Sequence, residues 1–247
     1  MEHLVDLTMT LREGMVGHAS HGRTPVRLPG SMSHASFRNQ SRANPYDGGQ
    51  LSFANEQWVV NGNTGTHMDS VWHADPESQY TMEKMPIRCG LGPAIILQVH
   101  GVVGPGEALG AADLERSEAQ SGSRIEAGDI VLLNTGSGRL VADDPDAYLT
   151  DYVALDRDAG EWLRARGVRT VGIDAPTVDA VESVPTSPVH MNFLRPRSLG
   201  LLDHDFIAII ENLTNLDAVA STRFHFTGLP LPFEGGSGSP IRAIAQW

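Results

Sequence analysis

Three stretches of this chain are apolar almost without interruption, and they constrain its fold more than any other feature. Pro93 to Val103 contains Ile95-Ile96-Leu97 and Val99 between a Gly-Pro pair and a glycine. Asp129-Ile130-Val131-Leu132-Leu133-Asn134-Thr135-Gly136 runs into a glycine turn, and Phe206-Ile207-Ala208-Ile209-Ile210 ends at Glu211. Short apolar runs bounded by turn residues are buried strands. Between them, Asp156 to Arg166 reads as a helix, with Asp156 as N-cap, an apolar stripe of Ala159, Trp162 and Leu163, and Gly167 as the stop. It feeds Val168 to Ile173, a short strand, after a tight turn. A helix delivered straight into a strand is an α/β unit, so the expected fold class is α/β, a mixed sheet packed on helices.

The remaining pieces are weaker. Residues 3 to 10 look like an opening strand, residues 50 to 60 like a strand with Leu51, Phe53 and Trp58-Val59-Val60, and Ala111 to Gln120 like a polar helix ending near Gly122. Leu11 to Gly48 is rich in Gly, Ser, Arg, Asn and Pro and reads as a long irregular arm. Loops of that length are usually functional or pinned by a partner. This arm carries Met15, His18, His21, Met32, His34, Phe37 and Tyr46, which would suit a cover over a substrate pocket, or equally a solvated surface segment.

Bulk properties exclude several functions. With 40% hydrophobic and 19% charged residues the chain is that of a globular protein, not a disordered one. A net charge of -12 argues against a phosphate-tracking surface, so no nucleic-acid partner is expected and a small organic one is. No apolar run approaches the roughly 20 residues needed to span a bilayer, and no membrane partner is expected. The first residues show no basic segment followed by an apolar one, so a cytoplasmic location is expected. The single cysteine, Cys89, fits a reducing compartment and reads as a buried apolar residue rather than a nucleophile. Lys84 is the only lysine, which disfavours Schiff-base chemistry. Nucleotide-binding glycine loops and a G-x-S-x-G elbow are absent from the sequence.

Chemistry concentrates in Asn63-Thr64-Gly65-Thr66-His67-Met68-Asp69-Ser70-Val71-Trp72-His73. In an extended segment His67, Asp69, Val71 and His73 would share one face, with Met68, Ser70 and Trp72 on the other. Imidazole and carboxylate together suit zinc, manganese or iron, whereas calcium takes oxygen ligands. The same residues would also suit a solvated polar turn. Farther along, Glu211 ends an apolar strand, where a buried carboxylate must be paired, protonated or metal-bound. His190 follows a kinked, proline-containing segment and by itself would suit a structural role as well as a ligand.

The motif resembles the His-x-Gly-Thr-His-x-Asp-x-Pro-x-His signature of the metal-dependent cyclase-like family, which includes bacterial kynurenine formamidase, isatin hydrolase and polyketide cyclases. The resemblance extends over nearly the whole chain. It takes in Asp6-Leu7-Thr8, residues 128 to 136, Val171-Gly172-Ile173-Asp174-Ala175-Pro176-Thr177-Val178-Asp179, His190, Glu211-Asn212-Leu213-Thr214-Asn215-Leu216 and residues 238 to 245. It implies a single domain over 1–247 with a swivelling β/β/α fold, assembled as a homodimer or homotetramer in which N-terminal segments reach a neighbour. It further implies a zinc or manganese site with His67, Asp69, His190 and Glu211 as ligands and His73 as the acid/base group.

Two positions depart from the signature: Asn63 stands for its first histidine and Val71 for its proline. An amide oxygen is a poorer zinc ligand than imidazole, so one divalent metal ion is expected, with Asn63 turned instead towards substrate or water. Pocket walls are expected from the arm, from around Trp72 and from a neighbouring subunit. The expected reaction is hydrolysis of an amide, lactone or N-formyl bond in a small cyclic or aromatic substrate. The alternatives are a cyclase, dehydratase or isomerase acting on a natural-product intermediate, and a degenerate member that only binds a ligand.

Overall fold

The apolar runs lie at the centre of one nine-stranded sheet, with the strand Thr170–Ile173 between the second and the third. The computed structural model describes residues 3–15, 26–34, 46 and 51–247. In chain order the strands are β1 (Leu4–Asp6), β2 (Val26–Met32), β3 (Asn55–Val60), β4 (His67–Asp69), β5 (Leu91–Gln98), β6 (Ala108–Leu109) and β7 (Ile130–Asn134). They continue as β8 (Ala154–Leu155), β9 (Thr170–Ile173), β10 (Ala208–Glu211), β11 (Arg223–Thr227), β12 (Gly238–Pro240) and β13 (Ile244–Gln246). The sheet order is β1-β13-β11-β5-β7-β9-β10-β4-β12. The core β5-β7-β9-β10 is parallel, and antiparallel strands flank it on both sides. This is the mixed α/β architecture expected from the sequence.

Strand periodicity of two sorts the apolar residues into two layers. Ile95, Leu97, Val131, Leu133, Val171, Ile173 and Ile209 face one cluster, where helices α1 (Ala111–Ser121), α4 (Arg157–Ala165) and α5 (Pro188–Leu194) bring Leu114, Leu163, Val189 and Phe193. The residues between them, including Ala94, Ile96, Ile130, Leu132, Ala208 and Ile210, face a second cluster with Met68, Val71, Phe224 and Phe226. Runs without polar interruption are therefore required, because both faces of these strands are buried. Two short helices, α2 (Leu140–Asp143) and α3 (Ala147–Thr150), lie between β7 and β8. Helix α4 starts as the sequence predicts: Asp156 accepts from the Ala159 N–H at 2.8 Å, and Gly167 takes φ +70 beyond its end.

The arm differs from its reading as irregular. Within residues 11–48, β2 forms an antiparallel ribbon with β3, bulged between Arg27 and Gly30. Composition concealed it, since glycine and proline interrupt the strand. His18, His21 and Phe37 lie outside the described residues, so their expected part in covering a pocket is not visible. Cys89 is buried as expected. Among the described residues no helix is long and apolar enough to cross a membrane.

Candidate metal centre and active site

Strand β4 is only three residues long, yet it is paired on both edges, to β10 and to β12. That pairing sets the site. His67 and Asp69 project to the same side, while Met68 between them is buried in the core. Glu211, the last residue of β10, is the direct register partner of His67. The His67 ring is oriented by its Nδ1, which lies 2.8 Å from the Gly65 carbonyl, so Nε2 faces the carboxylates of Asp69 and Glu211, each 3.4 Å away.

The strand does not continue to His73, which corrects the expectation of four residues on one extended face. Val71–His73 is a turn of 3-10 helix, whose three-residue repeat replaces the strand's two. Val71 consequently packs into the core beside Met68, and Trp72 turns outward. His73 still reaches the site by a different route, its ring centroid 5.8 Å from that of His190.

His190 arrives from α5, preceded by Ser187 at φ 43 and Pro188 in the helix's first turn. Its Nδ1 lies 2.5 Å from Asp179 Oδ2, and Asp179 also accepts from the Val189 N–H at 2.7 Å and the His190 N–H at 3.3 Å. The His190 Nε2 then faces Asp69 Oδ2 at 3.6 Å and Glu211 Oε1 at 3.5 Å. Asp179 was given no role by the sequence. Its one local signal was an acidic residue between Val178 and Ala180, a setting in which a buried carboxylate needs partners.

The two carboxylates lie between the two imidazoles: His67 Nε2 faces Asp69 Oδ1 and Glu211 Oε2, and His190 Nε2 faces the other oxygen of each, at 3.4 to 3.6 Å. Four ligands held tetrahedrally at about 2.1 Å from an ion would stand about 3.4 Å apart. The N···O separations match that spacing and exceed ordinary hydrogen-bond lengths, and the two oxygens of Asp69 and of Glu211 serve different imidazoles. His67 Nε2 and Asp69 Oδ2 are buried polar atoms with no hydrogen-bond partner among the described residues, an arrangement that is costly unless something else satisfies them. Two sets of potential ligands meet here, His67 with Asp69 and Glu211, and Asp69 with His73 and His190.

The electrostatics agree. Burial pulls the His67 pKa down, but the Asp69 and Glu211 carboxylates outweigh it and raise it to about 10. His190 is likewise lowered by burial and raised well above its ordinary value by Asp179 and Asp69. Burial raises Asp69, yet His73, His190 and His67 bring its pKa well below the usual carboxylate range. The pocket is built to hold positive charge, whether on protons or on a cation.

Asn63 lines the cavity and is anchored by two side-chain hydrogen bonds. Its Nδ2 donates to Asp69 Oδ1 at 2.5 Å, and its Oδ1 accepts from the Ser237 hydroxyl at 3.2 Å. The amide steadies the Asp69 carboxylate and keeps one further donor and one further acceptor position. The cavity has a volume of about 280 Å³, and its lining combines the polar Asn63, His67, His73, His190 and Glu211 with the apolar Ala74, Pro176, Val184 and Met191. Trp72 does not line it. That ring is 41% exposed and borders a neighbouring groove with Val60 and Phe233.

Known proteins resemble the chain in sequence and in fold. The family described as "Putative cyclase" matches residues 5–180. A kynurenine formamidase of Bacillus cereus is 30% identical over 183 residues, covering 74% of this chain and 75% of that protein. Isatin hydrolase A from Ralstonia solanacearum superimposes with a TM-score of 0.79 at 24% identity, over 99% of this chain and 92% of the other. A potential metal-dependent hydrolase with cyclase activity gives 0.71 at 19% identity, over 100% and 98% of the two chains.

Proposed function

The chain belongs to the Cyclase family, and from that premise we propose that it is a metal-dependent hydrolase opening an amide or N-formyl bond of a small aromatic substrate. The observation that carries the reading is the buried cluster of His67, Asp69, His190 and Glu211, in which two overlapping sets of potential ligands share Asp69 and in which His67 Nε2 and Asp69 Oδ2 lack hydrogen-bond partners among the described residues. These four side chains would hold one zinc or manganese ion. When bound, such an ion supplies Lewis acidity, polarising a carbonyl and lowering the pKa of a water.

The chain's own residues supply the rest. Asp179 keeps the His190 Nδ1 proton on its own side of the ring and leaves Nε2 directed at the centre. Asn63 fixes one oxygen of Asp69. His73 lies at the cavity's solvent-exposed edge beside His190, so its imidazole can take a proton from water, pass it to the leaving nitrogen, and re-equilibrate with bulk solvent. Ala74, Pro176, Val184 and Met191 add apolar surface to the lining, which suits an aromatic ring. The kynurenine formamidase and isatin hydrolase resemblances favour the same bond class.

Two further elements belong to this reading. A two-stranded ribbon is marginal alone, and β2–β3 carries Trp58 and Val59 about half exposed, so a homodimer or homotetramer that covers it is favoured. The lone buried cysteine favours the cytoplasm.

The test is metal analysis of purified protein, followed by chelation, reconstitution and turnover of an N-formyl arylamine and a cyclic aryl lactam in water enriched with oxygen-18. Stoichiometric zinc or manganese, activity lost and regained with the metal, and label in the product are expected. Activity indifferent to chelation overturns the metal assignment, and turnover without label replaces hydrolysis by a cyclase or isomerase reaction.

A further inference from the structure

Thr66 precedes His67, and Asn212 follows Glu211. Both stand just beyond the last paired residues of β4 and β10, where the ladder stops. Asn212 has φ 57 and turns the chain away from β4, its N–H going to the Ala175 carbonyl at 3.0 Å. Its carbonyl would be left without a strand partner. Instead it accepts from the Thr66 hydroxyl at 2.5 Å, and that hydroxyl oxygen accepts in turn from the Met9 N–H at 2.8 Å. On the other side the Tyr148 hydroxyl donates to Asn212 Oδ1 at 2.7 Å. Thr66 and Tyr148 are each 1% exposed, and neither lines the cavity.

We infer that Thr66 is a positioning residue that fixes the spacing between His67 and Glu211, with Tyr148 steadying Asn212 from the opposite side; this rests on reading His67 and Glu211 as metal ligands. The physical need is plain. His67 Nε2 and Glu211 Oε2 must stay near their 3.4 Å separation for one ion to reach both. On the inner side their backbones are held by the Ile210 and Met68 pairing. On the outer side the Thr66 hydroxyl performs that task, and through Met9 it ties the site to the chain's first segment. That segment continues the connection where Thr8 bridges Leu213 and the Leu7 carbonyl accepts from the Thr214 N–H at 3.0 Å.

The experiment compares wild type, Thr66→Val, Thr66→Ser and Tyr148→Phe. Zinc and manganese affinities of the metal-stripped proteins are measured by titration calorimetry, alongside thermal melting of the same samples. Loss of a hydrogen bond made directly to a metal ligand weakens metal binding about 10–100-fold; Thr66 acts one bond farther out, through the Asn212 carbonyl, so a loss near the lower end, about tenfold, is expected for Thr66→Val. Thr66→Ser keeps the hydroxyl and should restore wild-type affinity, while Tyr148→Phe should weaken binding by a smaller factor. A purely structural role would lower the melting temperature and leave the affinity of the folded protein unchanged. Folded Thr66→Val with wild-type affinity overturns the inference. If that variant does not fold, Tyr148→Phe with wild-type affinity overturns it. A wild-type protein that binds neither ion overturns the underlying metal reading, an outcome distinct from tight binding by every variant.

Discussion

Asp179→Asn is the sharpest probe of how the site holds His190. Asp179 is fully buried, and its carboxylate receives the His190 ring and two backbone amides at the start of α5. Replacement by alanine would leave those donors unpaired at about 1–3 kcal/mol each, a loss large enough to confuse unfolding with loss of function. Asparagine has the same shape and keeps one acceptor oxygen, so the helix start can survive while the negative charge on the ring's Nδ1 side disappears. Without it, His190 loses both its fixed orientation and part of its basicity at Nε2. Removing such a partner costs about 10–100-fold in metal affinity, equivalent to about 1.4–2.7 kcal/mol. The assay is calorimetric titration of the metal-stripped variant with zinc and manganese, read beside the ring ¹⁵N shifts of His190. Weaker binding together with a changed tautomer signature is expected. Wild-type affinity with an altered ring signature would refute the idea that Asp179 acts through His190.

Other outcomes follow from particular contacts. Cys89 is buried, and burial raises its thiol pKa to about 11 against the opposing pull of Arg88 and Arg169, so alkylation at pH 8 should be slow until denaturant is added; rapid modification of native protein would contradict the packing. Gly172→Ala would set a Cβ 2.5 Å from Leu132 Cδ2 and 2.9 Å from Leu213 Cδ1 in the middle of the sheet, and overpacking of this kind costs about 1–3 kcal/mol in a urea unfolding curve. An unchanged midpoint would show that these side chains move aside freely. Trp72→Ala should leave metal content at the wild-type level and kcat/KM within about threefold, because surface positions away from a site seldom matter; a tenfold or greater loss would return the indole to the substrate path.

Much of the site was legible, but unevenly. His67 and Asp69 could be paired from spacing alone because they lie within one strand, where a two-residue separation means a shared face. His73 comes near His190 by a route its spacing does not imply: the strand has ended, and a 3-10 turn carries it back. Val71 departs from its spacing in the same way, since the changed period buries it. Asn63 was expected to look towards substrate or water. It does line the cavity, and its amide also bonds Asp69 and Ser237, a pairing made by the approach of β12 and the turn before it.

The sequence by itself determined the mixed α/β core, because uninterrupted apolar runs can be satisfied only by burial on both faces. It also determined where α4 begins and ends, since a capping aspartate and a terminal glycine act within one helical turn. Only the tertiary structure decided which distant residues meet. Insertion of β10 between β9 and β4 sets Glu211 opposite His67, and packing of α5 on the sheet delivers His190 with Asp179 behind it. Such pairings depend on strand register and helix docking over long separations, for which the local period of the sequence carries no signal. For that reason Thr66 and Asp179, whose side chains act entirely through those junctions, showed their roles only in the folded chain.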